Sequence, residues 1–220
     1  YMIIELLGIP GCGKSTYAEK YIKKNNAINP LNIHLYRESR IKQNLNKIKL
    51  MICFIFIQPA NFFSIYKCFD SIKFTSYVKK LKMMLYLFSI LGVVTLIKRK
   101  YINSTIILDE GVNQVLWGIS YNSIDSDEKI FILQRKLKDF MGDAVFIMDV
   151  EIETIKSRLK KRKNKGGDEL KSDLEKDSYC IIRSIEILDR IKYQVKKVNP
   201  EGKVKVIRWG EDEKSSLFNK

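Results

Sequence analysis

One histidine, His34, and four cysteines far apart in the chain, Cys12, Cys53, Cys68 and Cys180, leave little from which to build a zinc site, and no CxxC pair is present. The same scarcity argues against a disulfide framework; reduced thiols point to the cytoplasm. Acidic residues are also in short supply. Twenty-five Asp and Glu face 40 Lys and Arg, for a formal net charge of +15. That balance favours polyanionic partners (nucleotides, nucleic acid, an acidic membrane face), although a solvated lysine-rich surface gives the same numbers. The apolar stretches at 50–57 and 83–97 fall short of the roughly 20 residues that span a bilayer. They read as buried helix, so membrane association is not expected. The apolar opening at 2–7 runs into glycines rather than a cleavage site, so no signal peptide is expected. A hydrophobic fraction of 45% excludes disorder as the main state.

What is present is an alternation. Short β-rich apolar runs at 2–7, 32–36, 104–108, 144–150 and 203–208 are separated by segments with helical spacing of apolar residues. The helical segments are 15–25, 151–163 and 174–198. This is the pattern of an α/β fold with a parallel sheet covered on both faces. Residues of about 40–102 break the alternation. Rich in Phe, Tyr, Met and Lys and interrupted near Pro59 and Gly92, they predict a helical lobe within a single domain spanning 1–220.

The chemistry begins at the end of the first run. Gly8-Ile9-Pro10-Gly11-Cys12-Gly13-Lys14-Ser15 satisfies G-x-x-x-x-G-K-[ST] in full, with a strand before it and a helix after it. Glycines let the backbone wrap so that its N–H groups face phosphate oxygens, and the following helix adds its positive end. Gly8, Pro10, Gly11, Cys12, Gly13, Lys14, Ser15 and Thr16 are therefore the candidate nucleotide contacts, for ATP or GTP. Lys14 would reach the β- and γ-phosphates, and Ser15 would hold Mg2+.

Ile106-Ile107-Leu108-Asp109-Glu110 is an apolar strand ending in two acids. Behind a complete phosphate loop, Asp109 is the second candidate for the metal, while Glu110 is a base, a supporting group or a turn residue. Arg158 and Arg162 lie four residues apart on one helix, followed by Lys163, Lys165 and Gly166-Gly167. Such a segment could close as a cationic lid over transferring phosphates; a basic helix end has the same appearance. Arg37 and Glu38 end the second run and would sit at the carboxyl edge of the sheet, as substrate-binding residues or as a surface ion pair.

In this order of elements the chain resembles the nucleoside monophosphate kinases, most closely their thymidylate kinase-like branch. The phosphate loop, Tyr36-Arg37-Glu38, Leu108-Asp109-Glu110, and Phe146-Ile147-Met148-Asp149-Val150 leading to Arg158 and Arg162 carry the resemblance. It implies a P-loop three-layer α/β/α fold, a five-stranded sheet of order 2-3-1-4-5, an acceptor-binding helical region and a lid. Arg158 and Arg162 match the lid arginines, and Arg37 and Glu38 the acceptor-side pair. Three departures bear on the substrate. Ser39 stands in place of the family's proline, and Glu110 in place of an arginine. No arginine occurs between Ile41 and Lys98 to clamp an acceptor's phosphate.

These readings predict a magnesium-dependent phosphotransferase acting on a small-molecule acceptor, with a nucleoside monophosphate among the candidates. The alternatives are an ATP or GTP hydrolase or switch, for which Glu110 is the supporting feature, and a nucleic-acid-directed kinase, for which the net charge is. Nucleic acid is not the favoured partner; a homodimer is compatible with the sequence.

Overall fold

The computed structural model of the chain describes residues 2–31, 39–101, 103–124, 127–161, 178–198 and 202–208. Strand β1, Met2–Leu7, is buried from Ile3 onward, as a strand at the middle of a parallel sheet covered on both faces must be. β2 (Thr105–Leu108) lies on one side of it, and β3 (Ala144–Asp149) and then β4 (Lys203–Arg208) on the other, giving the order β2-β1-β3-β4. All pairings are parallel, with Ile4 opposite both Ile107 and Ala144. Lys203, Lys205 and Arg208 line β4, and lysines of this kind blunt an open sheet edge.

The expected five-stranded sheet is thus corrected to four strands among the described residues, in a different order. The missing run, 32–36, lies outside them. Ile28, just before it, forms an isolated parallel bridge to Ile106 on the outer edge of β2.

Helix α1 (Lys14–Asn25) leaves the phosphate loop and ends at Asn26, whose left-handed backbone (φ 48°) closes the C-terminus. Residues 40–100 are helical as expected: α2 (Arg40–Ile57), α3 (Pro59–Asp70) and α4 (Tyr77–Lys100). Pro59 starts α3, where its missing N–H costs nothing, and the chain bends by 117° between α2 and α3. Ser76 caps α4 by accepting a hydrogen bond from the Lys79 N–H.

Gly92 does not interrupt α4. It lies against α2, where a Cβ would stand 2.3 Å from the Leu50 carbonyl oxygen, so its missing side chain allows the two helices to cross closely. α4 is long and apolar enough to span a membrane, yet every residue from Leu87 to Thr95 is buried. It is a core helix, as its composition predicts. The aromatic residues of this region divide between two environments. Phe54 packs on Phe88 and Phe140, whereas Phe56 and Phe63 face outward.

After β2 come α5 (Val112–Asn122), α6 (Asp127–Lys136) and a short 3-10 turn, Lys138–Phe140; α7 (Ile152–Lys161) follows β3, and α8 (Ser178–Val198) precedes β4. Trp117 of α5 is a core residue whose indole N–H donates to the Ser184 carbonyl on α8.

Candidate functional site

Because the strands are parallel, the loops that leave β1, β2 and β3 all emerge at the same edge. Strand order reverses at β1, which opens a crevice there. This brings the phosphate loop, Asp109-Glu110 and the helix bearing Arg158 together.

Gly11 and Gly13 have φ of 90° and 99°, a left-handed backbone that glycine adopts without steric cost. Gly8 meets a different demand: a Cβ there would lie 2.7 Å from the Cys12 sulfur and 3.1 Å from Met148 Cβ. The loop is therefore folded on its own cysteine, and Cys12 is fully buried. On its other side Gly11 abuts α7, where Leu159 and Ile155 would lie 3.1 and 3.3 Å from an added Cβ. Gly13 opens α1 with no side-chain cap, which leaves the N–H groups of the first turn for a ligand.

The polar side chains are held by one another. Lys14 Nζ donates to the carbonyls of Gly8 at 2.6 Å and Ile9 at 3.3 Å. Ser15 Oγ donates to Asp109 Oδ2 at 3.1 Å, and Asn29 Nδ2 donates to Oδ1 of the same carboxylate at 3.0 Å. Asp109 is buried. The Gln114 side chain accepts from the Gly8 N–H at 3.1 Å and so ties the loop to α5. Arg158 donates to the Cys12 carbonyl at 3.1 Å, which lays its guanidinium on the loop. Glu110 accepts from the Tyr86 hydroxyl at 2.5 Å and is thereby fastened to α4. Pro10 is half-buried in the loop, and Thr16 is exposed on the first turn of α1.

The structure therefore gathers Lys14, Ser15, Asp109, Glu110 and Arg158 around the loop. Arg37, Glu38 and Arg162, with the rest of the expected lid, lie outside the described residues. The sequence reading missed Asn29, Gln114 and Tyr86. Nothing in the spacing of Asn29, Gln114 or Tyr86 marks any of the three.

Glu5, also missed, did have a signal: a single charge inside the run Met2–Leu7. Its carboxylate is completely buried beneath the site. It accepts from the Asn113 N–H at 3.0 Å, the Asn113 side chain at 2.9 Å and the Gly142 N–H at 2.8 Å. Burial pushes its pKa above the usual carboxylate range, against the opposing pull of those hydrogen bonds. Glu5 links β1 to the start of α5 and to the turn before β3, so it braces the crevice from below.

Oxygen donors suit magnesium, which takes one or two protein oxygens and completes its shell with phosphate and water. Ser15 Oγ and the Asn29-oriented Asp109 carboxylate meet that requirement at the mouth of the loop. No cluster of three or more His, Cys, Asp or Glu suited to a metal occurs among the described residues, so this pair would need a nucleotide's phosphates to complete the shell.

No family model matches the chain, and no curated protein matches it. Its fold is similar to that of solved structures of a deoxyadenosine kinase from M. mycoides. The form with bound dATP is 15% identical, with a TM-score of 0.52, and the match covers 94% of this chain and 91% of that one. The form with products dCMP and a flexible dCDP is 17% identical at a TM-score of 0.47, and the form with bound dCTP 16% identical at 0.44; each match covers 94% of this chain and 90% of the other. None of the three is a thymidylate kinase, the branch towards which the motifs lean. At 15% identity the likeness, carried by the dATP-bound form, is one of fold alone.

Proposed function

We propose that this chain is a P-loop kinase that moves the γ-phosphoryl group of ATP or GTP to a hydroxyl of a small, uncharged acceptor of the nucleoside class. The observation that carries the reading is the Ser15–Asp109 hydrogen bond of 3.1 Å at the mouth of a complete glycine loop. In this proposal the loop N–H groups and the first turn of α1 cradle the phosphates. Lys14 leaves the Gly8 carbonyl for the β- and γ-phosphates, a short reach for a side chain already pointing into the loop. Ser15 and Asp109 would hold magnesium, which supplies charge neutralisation across the phosphate oxygens when bound. Arg158, which rests on the Cys12 carbonyl, would turn to the transferring group, and Arg162 is our second candidate for that role. The acceptor oxygen forms its bond to phosphorus as the bond to the β,γ-bridging oxygen breaks, and the hydroxyl proton passes to a carboxylate. Glu110 and the Arg37–Glu38 pair are our candidates on the acceptor side.

Two features support an uncharged acceptor over a nucleoside monophosphate. No arginine lies between Ile41 and Lys98, so the helical region has no guanidinium between its two ends, at Arg40 and Arg99, to grip a second phosphate. A carboxylate, Glu110, stands beside Asp109 and would repel an anionic acceptor. Deoxyadenosine kinase, the enzyme of similar fold, points the same way. The cytoplasm is the compartment this reading implies. A hydrolase remains the second reading, because a glutamate after the metal-binding aspartate can orient water.

The test is ADP release from ATP and magnesium with a panel of nucleosides, nucleoside monophosphates, sugars and a 5′-hydroxyl oligonucleotide. Strong stimulation by nucleosides, with phosphorylated product, is the expected result. Stimulation by monophosphates alone would overturn the acceptor class, and steady unstimulated release would make the protein a hydrolase.

A further inference from the structure

The net charge is unevenly spread along the chain. Between residues 40 and 100 there are twelve Lys and Arg and a single acid, Asp70, while the remainder holds 28 against 24. Asp70 is already paired with Lys80. Residues 40–100 therefore carry most of the protein's net positive charge in about a quarter of its length.

The same region exposes much of the protein's apolar surface, and on α2 that surface has a pattern. Ile41, Leu45, Ile48, Ile52 and Phe56 are 75%, 51%, 40%, 44% and 81% exposed. Their spacing of three and four residues gathers them within roughly 80° of the helix circumference, at about 100° per residue. Leu50 and Phe54, which are buried, lie on the opposite side. The helix is thus anchored to the core by one apolar face and turns a second one outward. Lys42 and Lys49 fall along one margin of the outward stripe, and α2 contains no acidic residue.

Three partners could cover such a stripe. A second copy would bring two strongly cationic regions together, which electrostatics opposes. A nucleic acid would use the charge, but four of the stripe's five side chains are branched aliphatics, and Phe56 alone offers a base a flat surface to stack on. An anionic lipid surface uses both features at once: acyl chains accept Ile, Leu and Phe, and headgroups accept the lysines. We infer that α2 docks this protein peripherally on an anionic membrane, its stripe lying in the interface. The core helix α4 does not cross the bilayer in this arrangement. The inference is independent of the phosphotransfer reading, since it uses neither the loop nor the crevice.

The experiment is co-sedimentation of the full chain with phosphatidylcholine vesicles, with and without phosphatidylglycerol. Binding to the mixed vesicles only, weakened by salt, is expected. The double variant Ile48→Asp/Ile52→Asp changes outward-facing residues, and its melting curve checks that the fold survives. It should lose at least about tenfold in vesicle affinity, and Lys49→Glu about tenfold at low salt. Equal binding to neutral vesicles, or none to either, would overturn the inference. So would a wild-type dimer in sedimentation velocity that Ile48→Asp/Ile52→Asp converts to monomer, or tighter binding to a single-stranded oligonucleotide that the double variant leaves unchanged.

Discussion

The edge of the sheet and the outer face of α2 use opposite means. At the sheet edge the charged side chains have named partners, and apolar residues stay inside: Asp109 is held by Ser15 and Asn29, Glu110 by Tyr86, and Arg158 by the loop's own carbonyl. On α2 the order is reversed, with apolar side chains in solvent and lysines beside them. The difference separates a site built to place a few groups precisely from a surface built to present area. Changes at the first should affect chemistry before stability. Changes between α2 and the core should do the reverse.

The largest effect expected is on activity. Lys14→Ala should reduce turnover in the ADP-release assay by about a hundred- to a thousandfold, because it removes the cation we propose for the phosphates. Its melting temperature should stay near wild type, since among the described residues Lys14 bonds only to its own loop. Normal turnover in this variant would end the comparison at its stronger side. Gly92→Val is the converse. A branched side chain forced against the Leu50 carbonyl should separate α4 from α2 and cost about 3 kcal/mol in denaturant unfolding.

A smaller effect sharpens the contrast within the sheet. The buried Glu5 binds its proton more tightly in the folded than in the unfolded chain. Its contribution to stability is therefore complete below the usual carboxylate range and is lost as pH rises through the raised value, with a slope of at most about 1.4 kcal/mol per pH unit. Glu5→Gln, which cannot titrate, should flatten that part of a pH series of thermal melts. The smallest effect belongs to the helices again: Ser76→Ala removes the cap of α4 and should cost about 1 kcal/mol in the same unfolding assay.

How far these features can be read from residue order depends on the range of the forces behind them. The phosphate loop is legible because its glycines answer a local demand, a left-handed backbone at Gly11 and Gly13, that few other residues meet. β1, β2 and β3 are legible because each is a short, largely apolar run, β4 because β-branched residues alternate with Lys203 and Lys205, and α3 because a proline can start a helix but rarely continue one. Gly92 shows the limit. From sequence it reads as a break in α4, whereas the reason for it is a carbonyl forty-two residues away on another helix. Asn29, Gln114 and Tyr86 reach the site through contacts of the same long-range kind, and no periodicity announces them. The exposed stripe of α2 was hidden for another reason. Apolar residues line two faces of that helix, so composition alone could not say which face would turn inward.

The inward turn of Cys12 has a consequence for the life of the protein under oxidative conditions. Peroxides and electrophiles attack thiolates they can reach, and this sulfur fills the space left by Gly8's missing side chain with no exposure to solvent. The loop thus carries a cysteine at its centre without carrying a redox liability. Cys53, Cys68 and Cys180, which are only partly covered, would take the damage first and spare the glycine loop.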